Sequence, residues 1–430
     1  MNKIHFIGIG GIGVSALAQY YLSEKYKVSG SDLVASEITE LLKRKGANLK
    51  IGKHNAKNVP KDVKRVIFSP AVLESNPEML KAREIGVEIL SYPQALGELT
   101  KKYNTIAVSG SHGKSTTTSM ISLILTEAGL DPTVIVGTKL KQFGNTNFRK
   151  GKSNYLLIEA DEWNASFLNY HPKMIVLTNI EREHLDFYKD LDDILKTFKK
   201  YVSLLDKGTI IANKDDFNVS ELVKDLKPVF YSLEQPEADF LKKILNVPGQ
   251  HNISNALAAL SVARSLNIPD EVSFKALADY KGAWRRFEVR GFRFGKKRFT
   301  LVSDYGHHPT EIQATLKAAR EKFGNKKIWC IFQPHQYLRT FHLFDDFLRV
   351  FRMAPVDKII ITDIYSVAGR ETKEIKSKVS SKDMVERIIR PNVEYMKMGN
   401  IKEYLKKNLK GGEVVIIMGA GDIYELSKKL

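Results

Sequence analysis

Short apolar runs alternate with longer amphipathic segments along the chain. Runs with the length of buried strands lie at residues 4–7, 105–108, 155–158, 174–178, 301–304, 328–332 and 414–418. Most of them end in a glycine-rich or polar turn that leads into a helix-compatible segment. Because strands that alternate with helices form mainly parallel sheets, the pattern predicts an α/β protein. We divide it into three domains, at residues 1–100, 101–287 and 288–430.

The first turn carries a glycine fingerprint, Gly8-x-Gly10-Gly11-x-Gly13, ahead of a helix predicted at about residues 14–23. The next strand, at residues 28–32, ends in an acid, Asp32. Such a turn lets the backbone and the helix N-terminus approach a pyrophosphate, and the acid can bind a ribose. Alone, the fingerprint indicates an NAD-binding dehydrogenase. More generally, it predicts that a pyrophosphate binds at this helix N-terminus.

A second phosphate-binding turn follows the run at residues 105–108. It reads Gly110-Ser111-His112-Gly113-Lys114-Ser115-Thr116, ahead of a helix-compatible segment at residues 120–128. The turn is shorter than the usual G-x-x-x-x-G-K-[ST] loop, but it sits between a strand and a helix as that loop does. It predicts nucleotide binding, with Lys114 reaching the terminal phosphates and Ser115 ligating Mg²⁺.

Acids and a histidine follow the next two predicted strands. Glu159 ends the run at residues 155–158, and His184 and Asp186 lie beyond the run at residues 174–178. The carboxyl ends of parallel strands form the ligand-binding edge of a sheet. Since Mg²⁺ prefers oxygen ligands, Ser115, Glu159 and His184 are a candidate metal and phosphate cluster. The alternative is that these residues cap helices or lie on the surface. For Asp186, this structural role explains the sequence at least as well as a role in the metal site.

Three later motifs add candidates. Asn255 begins an alanine-rich helix after Gly249, which suits either a base-binding site or a simple helix cap. Arg285 and Arg286 lie at a predicted domain junction, where they either meet phosphate charge or form a structural ion pair. His307-His308 resembles a zinc pair, but adjacent histidines on a turn point different ways and no cysteine cluster is near, so we reject zinc.

Composition narrows the class of protein. The chain has 430 residues, a formal net charge of +18 and one cysteine, Cys330, in an apolar run. No disulfide can form within the chain, no run is long enough to span a membrane, and no signal sequence precedes the first strand, so we expect a cytoplasmic protein. The lysines are scattered in short groups without a basic tail. We therefore expect a solvated basic surface and no nucleic-acid, membrane or obligatory protein partner.

Taken together, the motifs resemble those of the Mur ligase family along essentially the whole chain. The motifs that carry the resemblance are Gly8-x-Gly10-Gly11-x-Gly13, Gly110-Ser-His-Gly-Lys-Ser, Glu159-Ala-Asp-Glu162, Thr178-Asn-Ile-x-x-x-His184-x-Asp186, Gly249-x-His-Asn-x-x-Asn255, Arg285-Arg-Phe-Glu288, Asp304-Tyr-Gly-His-His-Pro-Thr-Glu311 and Gly419-Ala-Gly-Asp422. The resemblance implies an N-terminal Rossmann-like UDP-binding domain, a central P-loop ATPase-like domain and a C-terminal Rossmann-like domain. It also implies an ATP-dependent amide ligase of peptidoglycan synthesis that uses Mg²⁺.

Within the family, the motifs around Asp304, Phe332-Gln-Pro-His335 and Gly419 are most similar to those of members that join L-alanine to the lactyl carboxylate of UDP-N-acetylmuramate through an acyl phosphate. This implies cytoplasmic synthesis of peptidoglycan precursors for the cell wall. The alternative within the family is the recycling ligase that joins an L-alanyl peptide to the same sugar nucleotide.

The resemblance assigns a role to each candidate residue. The catalytic residues would be Lys114, His184, Arg286, His335 and Arg339. ATP would contact Gly110, Ser111, His112, Gly113, Lys114, Ser115, Thr116, Asn255, Arg286 and Asp304. The sugar nucleotide and L-alanine would contact Gly8, Gly10, Gly11, Gly13, Ser31, Asp32, Ser69, His308 and Arg339. Ser115, Glu159 and His184 would bind Mg²⁺.

Three positions depart from the family pattern or stay open. Trp163-Asn164 replaces a Ser-Asp pair, and Gln336 stands where arginine is common, which makes selectivity for L-alanine the weakest part of the assignment. Lys199 lies where some members carry a carbamylated lysine, but we do not assign it that role. Outside the family, a dehydrogenase would leave the second phosphate loop without a purpose. A non-catalytic, nucleic-acid-binding ATPase would use the basic charge and would bind RNA or DNA with steep salt dependence.

Overall fold

The computed structural model describes residues 2–367 and 371–430. By the density of internal contacts, the chain divides into two compact units. The first unit comprises Met1–Asn179, Leu195–Tyr231 and Ala258–Leu277. The second comprises Ile180–Ile194, Ser232–Leu257 and Ala278–Leu430. Each unit is described by itself below.

The first unit opens with a parallel sheet in the order β3-β2-β1-β4-β5. Its strands and helices are β1 (Lys3–Ile7), α1 (Ile12–Ser23), β2 (Lys27–Asp32), α2 (Glu37–Arg44), β3 (Asn48–Ile51), β4 (Arg65–Phe68), α3 (Pro77–Glu84), β5 (Glu88–Ser91) and α4 (Tyr92–Thr100). The strand order reverses at β1. Ligands of open parallel sheets bind at such a reversal, beyond the carboxyl ends of the strands, and the glycine turn lies there.

Local sequence explains how two of these helices begin. Ser36 accepts a hydrogen bond from the backbone of Thr39, and Ser91 accepts one from Gln94; both serines form capping boxes. Pro93 lies in the first turn of α4, where its missing N–H leaves no broken hydrogen bond. The helix that starts at Tyr92 therefore leaves the end of β5 directly.

A second sheet in the first unit has the order β12-β11-β10-β6-β9-β7-β8. Its elements are β6 (Asn104–Ser109), α5 (Lys114–Glu127), β7 (Thr133–Leu140), β8 (Thr146–Arg149), β9 (Tyr155–Glu159), β10 (Met174–Leu177), α6 (Leu191–Ser203), β11 (Thr209–Asn213), α7 (Phe217–Val223) and β12 (Val229–Tyr231). The strands are parallel except for β8, which pairs antiparallel with β7. Three helices follow in sequence, α8 (Glu237–Ile244), α9 (Gln250–Ser265) and α10 (Asp270–Ala278).

The two sheets of the first unit are joined by buried amide groups. Asn147 on β8 accepts a hydrogen bond from Gln19 on α1 at 2.8 Å and donates to the hydroxyl of Ser15 at 3.0 Å. Thr146 donates to the other end of the Gln19 amide at 2.8 Å. Because buried amides that are fully paired tolerate few alternative arrangements, these bonds fix α1 and its glycine turn against the second sheet.

The second unit contains a sheet in the order β13-β14-β18-β15-β16-β17. Its elements are β13 (Glu288–Phe294), β14 (Lys297–Asp304), α11 (Pro309–Phe323), β15 (Ile328–Phe332), α12 (Tyr337–His342), α13 (Phe344–Met353), β16 (Lys358–Ile361), α14 (Lys373–Lys378), α15 (Ser381–Ile388), β17 (Val393–Tyr395), α16 (Met398–Asn408), β18 (Val414–Met418) and α17 (Ile423–Lys429). β13 and β14 form an antiparallel hairpin, and the other pairings are parallel. Apolar clusters cover both faces of the sheet.

Cys330 lies fully buried in β15, as its apolar surroundings in the sequence predict. Burial raises the pKa of its thiol to about 12, so the side chain behaves as a small apolar group. Over the residues that the structure describes, no helix is both long and apolar enough to cross a membrane.

The predicted α/β class and its mainly parallel sheets are confirmed. Element boundaries shift by a few residues, and the helix predicted at residues 120–128 begins earlier, at Lys114. Its first turn is polar and is preceded by Gly113, so hydrophobic periodicity alone does not predict it. Residues 180–194 and 232–257 group with the third sheet rather than with the second. The boundaries at 100/101 and 287/288 stay a prediction.

Helix α4 can pack only where residue 97 lacks a side chain. A Cβ atom on Gly97 would collide with the backbone oxygen of Asn169, whereas a Cβ atom on Gly399 in α16 meets nothing within 4 Å. We expect Gly97→Ala to lower the free energy of unfolding by about 1–3 kcal/mol, as overpacking does. Gly399→Ala, the matched control, should be neutral or slightly stabilising. Chemical denaturation measures both, and equal effects would contradict the proposed close approach.

Candidate active site

The phosphate loop of the first unit is held by the end of β10. Gly110 has φ +134°, and a Cβ atom there would clash with the hydroxyl of Thr178. Asn179 binds the loop twice: its carbonyl accepts from the backbone of Ser111 at 2.9 Å, and its side-chain oxygen accepts from the backbone of His112 at 2.8 Å. Gly113, with φ +83°, begins α5, whose first turn contains Thr116. The loop thus lies between a strand and the N-terminus of a helix, as the sequence predicts, and anion binding there stays a prediction.

Lys114 lies at the centre of this loop and forms an ion pair with Glu162. Its Nζ atom lies 2.8 and 3.1 Å from the two carboxylate oxygens, and both side chains are largely buried. Burial alone would lower the pKa of Lys114, but the carboxylates of Glu162, Asp161 and Glu159 raise it overall. Lys114 therefore stays charged although it is buried, and its contact with the terminal phosphates of a nucleotide stays a prediction.

Glu159, at the end of β9, is fixed by two donors. Its Oε2 atom accepts a hydrogen bond from Ser115 at 3.0 Å, and its Oε1 atom accepts one from the backbone N–H of Gly137 at 2.5 Å. A Cβ atom on Gly137 would come within 2.8 Å of the carboxylate, so this approach requires glycine. Of the predicted metal ligands, Ser115 and Glu159 are thus brought together. His184 belongs to the other unit, and its place in one cluster with them stays a prediction.

The glycine turn after β1 approaches its neighbours as closely as its sequence suggests. Gly8 has φ +74°, and a Cβ atom there would lie 3.0 Å from Cβ of Ser69. Gly10 donates its N–H to Asp32 at 2.7 Å, and a Cβ atom on it would meet that carboxylate. Gly11 caps α1, and Gly13 lies in its first turn. Asp32 therefore shapes the turn through at least one of its oxygens.

Ser31 is fully buried, and its hydroxyl donates to Glu78 at 2.6 Å. Glu78 also accepts from His5 at 3.0 Å, from Asn58 at 2.7 Å and from the ring of His54 at 3.1 Å. Burial opposes ionisation of Glu78, but the hydrogen bonds from His5, Ser31 and Asn58 lower its pKa to about 2. The Ser31 side chain is thus part of an internal network in this structure, and its contact with uridine stays a prediction.

In the second unit, Arg339 and Glu183 form a buried ion pair. Arg339 is 8% exposed and donates from Nη2 and Nε to Oε1 of Glu183 at 2.6 and 3.0 Å. Burial opposes ionisation of Glu183, but Arg339 and the imidazoles of His184 and His308 hold its pKa well below its usual range. The other oxygen, Oε2, is buried without a hydrogen-bond partner among the described residues. Much of the Arg339 guanidinium is therefore already bound inside the protein.

Arg339 also contacts His335, through Nη1 to the backbone oxygen at 3.0 Å and to Nδ1 at 3.2 Å. Burial lowers the pKa of His335 to about 2, and His307 and Arg339 act in the same direction. Its ring stacks on Tyr365 with a centroid distance of 5.4 Å. Near neutral pH, His335 is therefore an uncharged imidazole. Gln336 is buried and begins α12, with φ +72°.

His308 caps α11, since its Nδ1 atom accepts a hydrogen bond from the backbone of Thr310 at 3.3 Å. Its ring also lies 3.3 Å from the backbone oxygen of Arg182. His307 lies 3.1 Å from Glu311. The backbone N–H groups of both histidines donate to Glu311, but the two rings point to different neighbours, as their position on a turn predicts.

Asp304 is 8% exposed and accepts hydrogen bonds from the backbone of Phe287 at 2.8 Å and of Gly306 at 2.7 Å. Burial raises the pKa of Asp304, and the charge of Arg286 opposes that rise. In this structure Asp304 therefore fixes the backbone at Phe287, directly after Arg286, and its contact with an ATP ribose stays a prediction. Asn255 is buried in α9.

The two arginines of the junction differ. Arg285 is buried against the rings of Trp284, Tyr305 and Tyr424 and donates to the backbone oxygen of Gly419, so its role here is structural, although these contacts are not an ion pair. Arg286 is more exposed, and it lies 3.7 Å from Glu311 and over the ring of Tyr305. Arg286 therefore forms the structural ion pair given above as the alternative, and its contact with phosphate stays a prediction.

Comparisons with known proteins cover the whole chain. Sequence models of the Mur ligase family match three consecutive parts: the "Mur ligase family, catalytic domain" at residues 3–104, the "Mur ligase middle domain" at residues 108–263 and the "Mur ligase, glutamate ligase domain" at residues 285–421. A UDP-N-acetylmuramate–L-alanine ligase from Clostridium novyi is 42% identical over 99% of this chain and 96% of its own length. The chain belongs to the Mur ligase family.

Further relatives agree with this assignment. A UDP-N-acetylmuramate–L-alanine ligase from Acetivibrio thermocellus is 41% identical over 99% of this chain and 95% of its own length. The crystal structure of a UDP-N-acetylmuramate-alanine ligase from Thermotoga maritima superimposes with a TM-score of 0.81 at 27% identity, covering 100% of this chain and 98% of the other. A murein peptide ligase from Psychrobacter arcticus, 21% identical with a TM-score of 0.73 over 100% of this chain and 98% of its own, shares the fold. The three-domain Mur ligase architecture predicted from the motifs is confirmed.

Sequence reasoning named neither Glu162 nor Glu183 as a site residue of this Mur ligase. Glu162 belongs to the acidic run after β9, and its position three residues beyond Glu159 was the available signal. Glu183 directly precedes His184, but its partner Arg339 lies 156 residues away. A pairing over that separation leaves no local pattern in the sequence.

The Arg339–Glu183 pair yields a stability prediction. We expect Arg339→Met to lower the free energy of unfolding by roughly 3–5 kcal/mol, because it leaves a buried carboxylate without its counter-charge. Adding Glu183→Gln should restore part of the loss, since the uncompensated charge is then gone. Denaturant titrations of the single and double variants measure this coupling.

Arg349→Met is the matched control, because Arg349 is 72% exposed in its pair with Asp346. It should change the free energy of unfolding by less than about 1 kcal/mol. A loss for Arg339→Met no larger than that of the control would contradict the proposed role of the buried pair.

Proposed function

We propose that this Mur ligase joins L-alanine to the lactyl carboxylate of UDP-N-acetylmuramate and converts ATP to ADP and phosphate. The observation that carries the proposal is 42% identity over almost the full length to an enzyme of that name. The buried Lys114 in a strand-to-helix phosphate loop supports ATP as the second substrate. The reaction would be the first addition of an amino acid in peptidoglycan precursor synthesis.

The two anionic substrates would bind to two turns of the first unit. The helix N-terminus at Gly10–Gly13 would receive the diphosphate of the sugar nucleotide, with Asp32, Ser31 and Ser69 beside it. The loop from Gly110 to Thr116 would receive the phosphates of ATP. Hydrogen bonds between α1 and β8 keep these two turns in a fixed relation, which suits a reaction between two bound anions.

Mg²⁺ is the metal that the residues fit. Ser115 and Glu159 offer hydroxyl and carboxylate oxygens 3.0 Å apart beside the phosphate loop, and such hard oxygen donors suit Mg²⁺ bound to ATP. His184 would complete the protein's ligands. When bound, Mg²⁺ offsets the charge of the phosphates. The other positive charge at this place is Lys114.

The chemistry follows from the poor reactivity of a carboxylate. The lactyl carboxylate attacks the γ-phosphorus of ATP and ADP leaves, which gives an acyl phosphate; the amine of L-alanine then attacks the carbonyl carbon and phosphate leaves. Lys114 and Arg286 would offset the charge of the γ-phosphate during the first step. Asn255 and Asp304 would contact the adenine and the ribose.

For the second step, the acceptor residues would be Arg339, His335 and His308. Arg339 would meet the carboxylate of L-alanine with the N–H bond on Nη2 that Glu183 and His335 leave, while neutral His335 lies at its side. The Oε2 atom of Glu183 accepts no hydrogen bond among the described residues and lies 3.9 Å from Nε2 of His308, and its negative charge suits an ammonium group. Water carries neither a carboxylate nor an ammonium group, so these contacts would favour an amino acid over water as the acceptor.

The remaining expectations on partners and location also enter here as proposals. The enzyme would act in the cytoplasm, where its nucleotide substrates are made, and without a nucleic-acid, membrane or obligatory protein partner. The alternative acceptor, an L-alanyl peptide, is the substrate class of a recycling ligase.

The assay that tests the function measures phosphate release from ATP and Mg²⁺ in the presence of UDP-N-acetylmuramate. L-alanine, glycine, L-serine and an L-alanyl peptide are added in turn. We expect release to be fastest with L-alanine, to form a matching UDP-linked product and to stop when a chelator removes Mg²⁺. Release only with the peptide would assign the recycling reaction, and no release with any acceptor would contradict ligase activity.

Lys114→Ala tests the phosphate loop. We expect it to abolish ATP turnover while UDP-N-acetylmuramate still binds, because the diphosphate of the sugar nucleotide would bind at the other turn, Gly10–Gly13. Turnover and direct binding of the sugar nucleotide are measured on the same preparation. Lys199→Ala is the control, because Lys199 is an exposed residue on α6, and this variant should keep full activity. Equal loss of both ligands in Lys114→Ala would instead indicate a damaged fold.

A further inference from the structure

Tyr92 occupies a place that the proposed mechanism does not use. It is the first residue of α4, directly after β5, and it therefore lies at the carboxyl edge of the first sheet. Gly8, Asp32 and Ser69 follow β1, β2 and β4 at the same edge. In parallel sheets this edge is the one that binds ligands.

The ring of Tyr92 covers the first turn of α1. A Cβ atom on Gly13 would lie 2.8 Å from both Cζ and the hydroxyl oxygen of Tyr92. The absence of a side chain at residue 13 therefore makes room for the phenol, as well as for a diphosphate. The hydroxyl group is thus held within a few ångströms of the helix N-terminus proposed to bind the sugar nucleotide.

The same hydroxyl is influenced by the acids of the second sheet. Burial raises the pKa of Tyr92, and the carboxylates of Glu159 and Asp161 raise it further. Glu159 is the acid hydrogen bonded to Ser115 of the phosphate loop. Helix α4, which Tyr92 begins, also packs against the chain after β9, because Gly97 contacts the backbone of Asn169 within the same compact unit.

The Tyr92 hydroxyl has no internal partner. Within residues 2–367 and 371–430, no group forms a hydrogen bond with it, although the side chain is only partly exposed. Its oxygen is not fully buried, in contrast to the unpaired hydroxyls of Tyr201 and Tyr280, so it can form a hydrogen bond with a molecule that enters from solvent. A ligand oxygen between the two turns would supply that partner.

We propose that Tyr92 is a positioning residue that donates a hydrogen bond to the sugar portion of UDP-N-acetylmuramate, between its diphosphate and its lactyl carboxylate. The diphosphate belongs at the Gly10–Gly13 turn and the carboxylate belongs beside Lys114, so the sugar must cross the space next to Tyr92. A neutral phenol suits this task, because a cation there would be attracted to Glu159 and Asp161 instead. The inference rests on the proposed function for the identity of the sugar nucleotide.

The test is equilibrium binding of UDP and of UDP-N-acetylmuramate to Tyr92→Phe, without ATP or L-alanine. We expect affinity for UDP-N-acetylmuramate to fall about tenfold, as for one lost hydrogen bond, and affinity for UDP to stay unchanged. In turnover, KM for the sugar nucleotide should rise while KM for ATP stays the same. A purely structural role would not separate UDP from the full substrate.

Tyr26→Phe is the matched control. Tyr26 is also partly buried in the first sheet's domain, but it precedes β2 and so lies at the opposite edge. It should bind both ligands as the unchanged protein does. Unchanged binding of UDP-N-acetylmuramate by Tyr92→Phe would overturn the proposal, as would an equal loss for UDP.

The two proposals fail in different ways. If the protein without substitutions binds UDP-N-acetylmuramate but shows no L-alanine-dependent turnover, the ligase function is contradicted, and the binding test of Tyr92 can still be made. Unchanged protein that does not bind this sugar nucleotide at all would overturn both.

Discussion

The ion pair between Lys114 and Glu162 is the interaction on which the phosphate site depends. Three acids, Glu159, Asp161 and Glu162, follow β9 in close succession, and without a cation their mutual repulsion would oppose folding. Lys114 supplies that cation from the start of α5 and stays charged although it is buried. Lys114 is also the residue proposed to bind the phosphates of ATP, so Glu162 would hold the lysine in place until the nucleotide replaces the carboxylate as its anionic partner.

The second unit repeats this solution with different residues. Arg339 is held by Glu183 as Lys114 is held by Glu162, and in both pairs the acid is almost fully buried. A buried charge pair contributes little net stability, but it fixes the direction of both side chains. The bound carboxylate also limits what Arg339 can bind next. Glu183 occupies Nε and one N–H of Nη2, and His335 lies at Nη1, so an acceptor carboxylate of the proposed reaction would be bound through the rest of Nη2.

Much of the fold and part of the site can be predicted from sequence because their signals are local. Gly8–Gly13 and Gly110–Ser115 combine backbone turns, helix starts and ligand groups within a few residues, and the structure places both where the motifs indicate. For Ser31, Asp304 and Arg339, the sequence does not predict which groups their side chains contact. Their side chains bind Glu78, the backbone near Phe287, and Glu183, and these partners are brought close only by the tertiary fold. The pattern of apolar residues that predicts a strand does not encode which polar groups meet across it.

The residues proposed for the two chemical steps are distributed differently over the two compact units. Both turns proposed for the sugar nucleotide and for ATP phosphates belong to the first unit, where buried amides of Gln19 and Asn147 join their sheets. The residues proposed for the acceptor, His335 and Arg339, belong to the second unit. Formation of the acyl phosphate would therefore use the phosphate loop and Lys114 of the first unit together with His184 and Arg286 of the second, whereas its reaction with L-alanine would use residues of the second unit. An acyl phosphate hydrolyses in water, so the enzyme would gain because Arg339, proposed to bind the carboxylate of L-alanine, is already held by Glu183 before the intermediate forms.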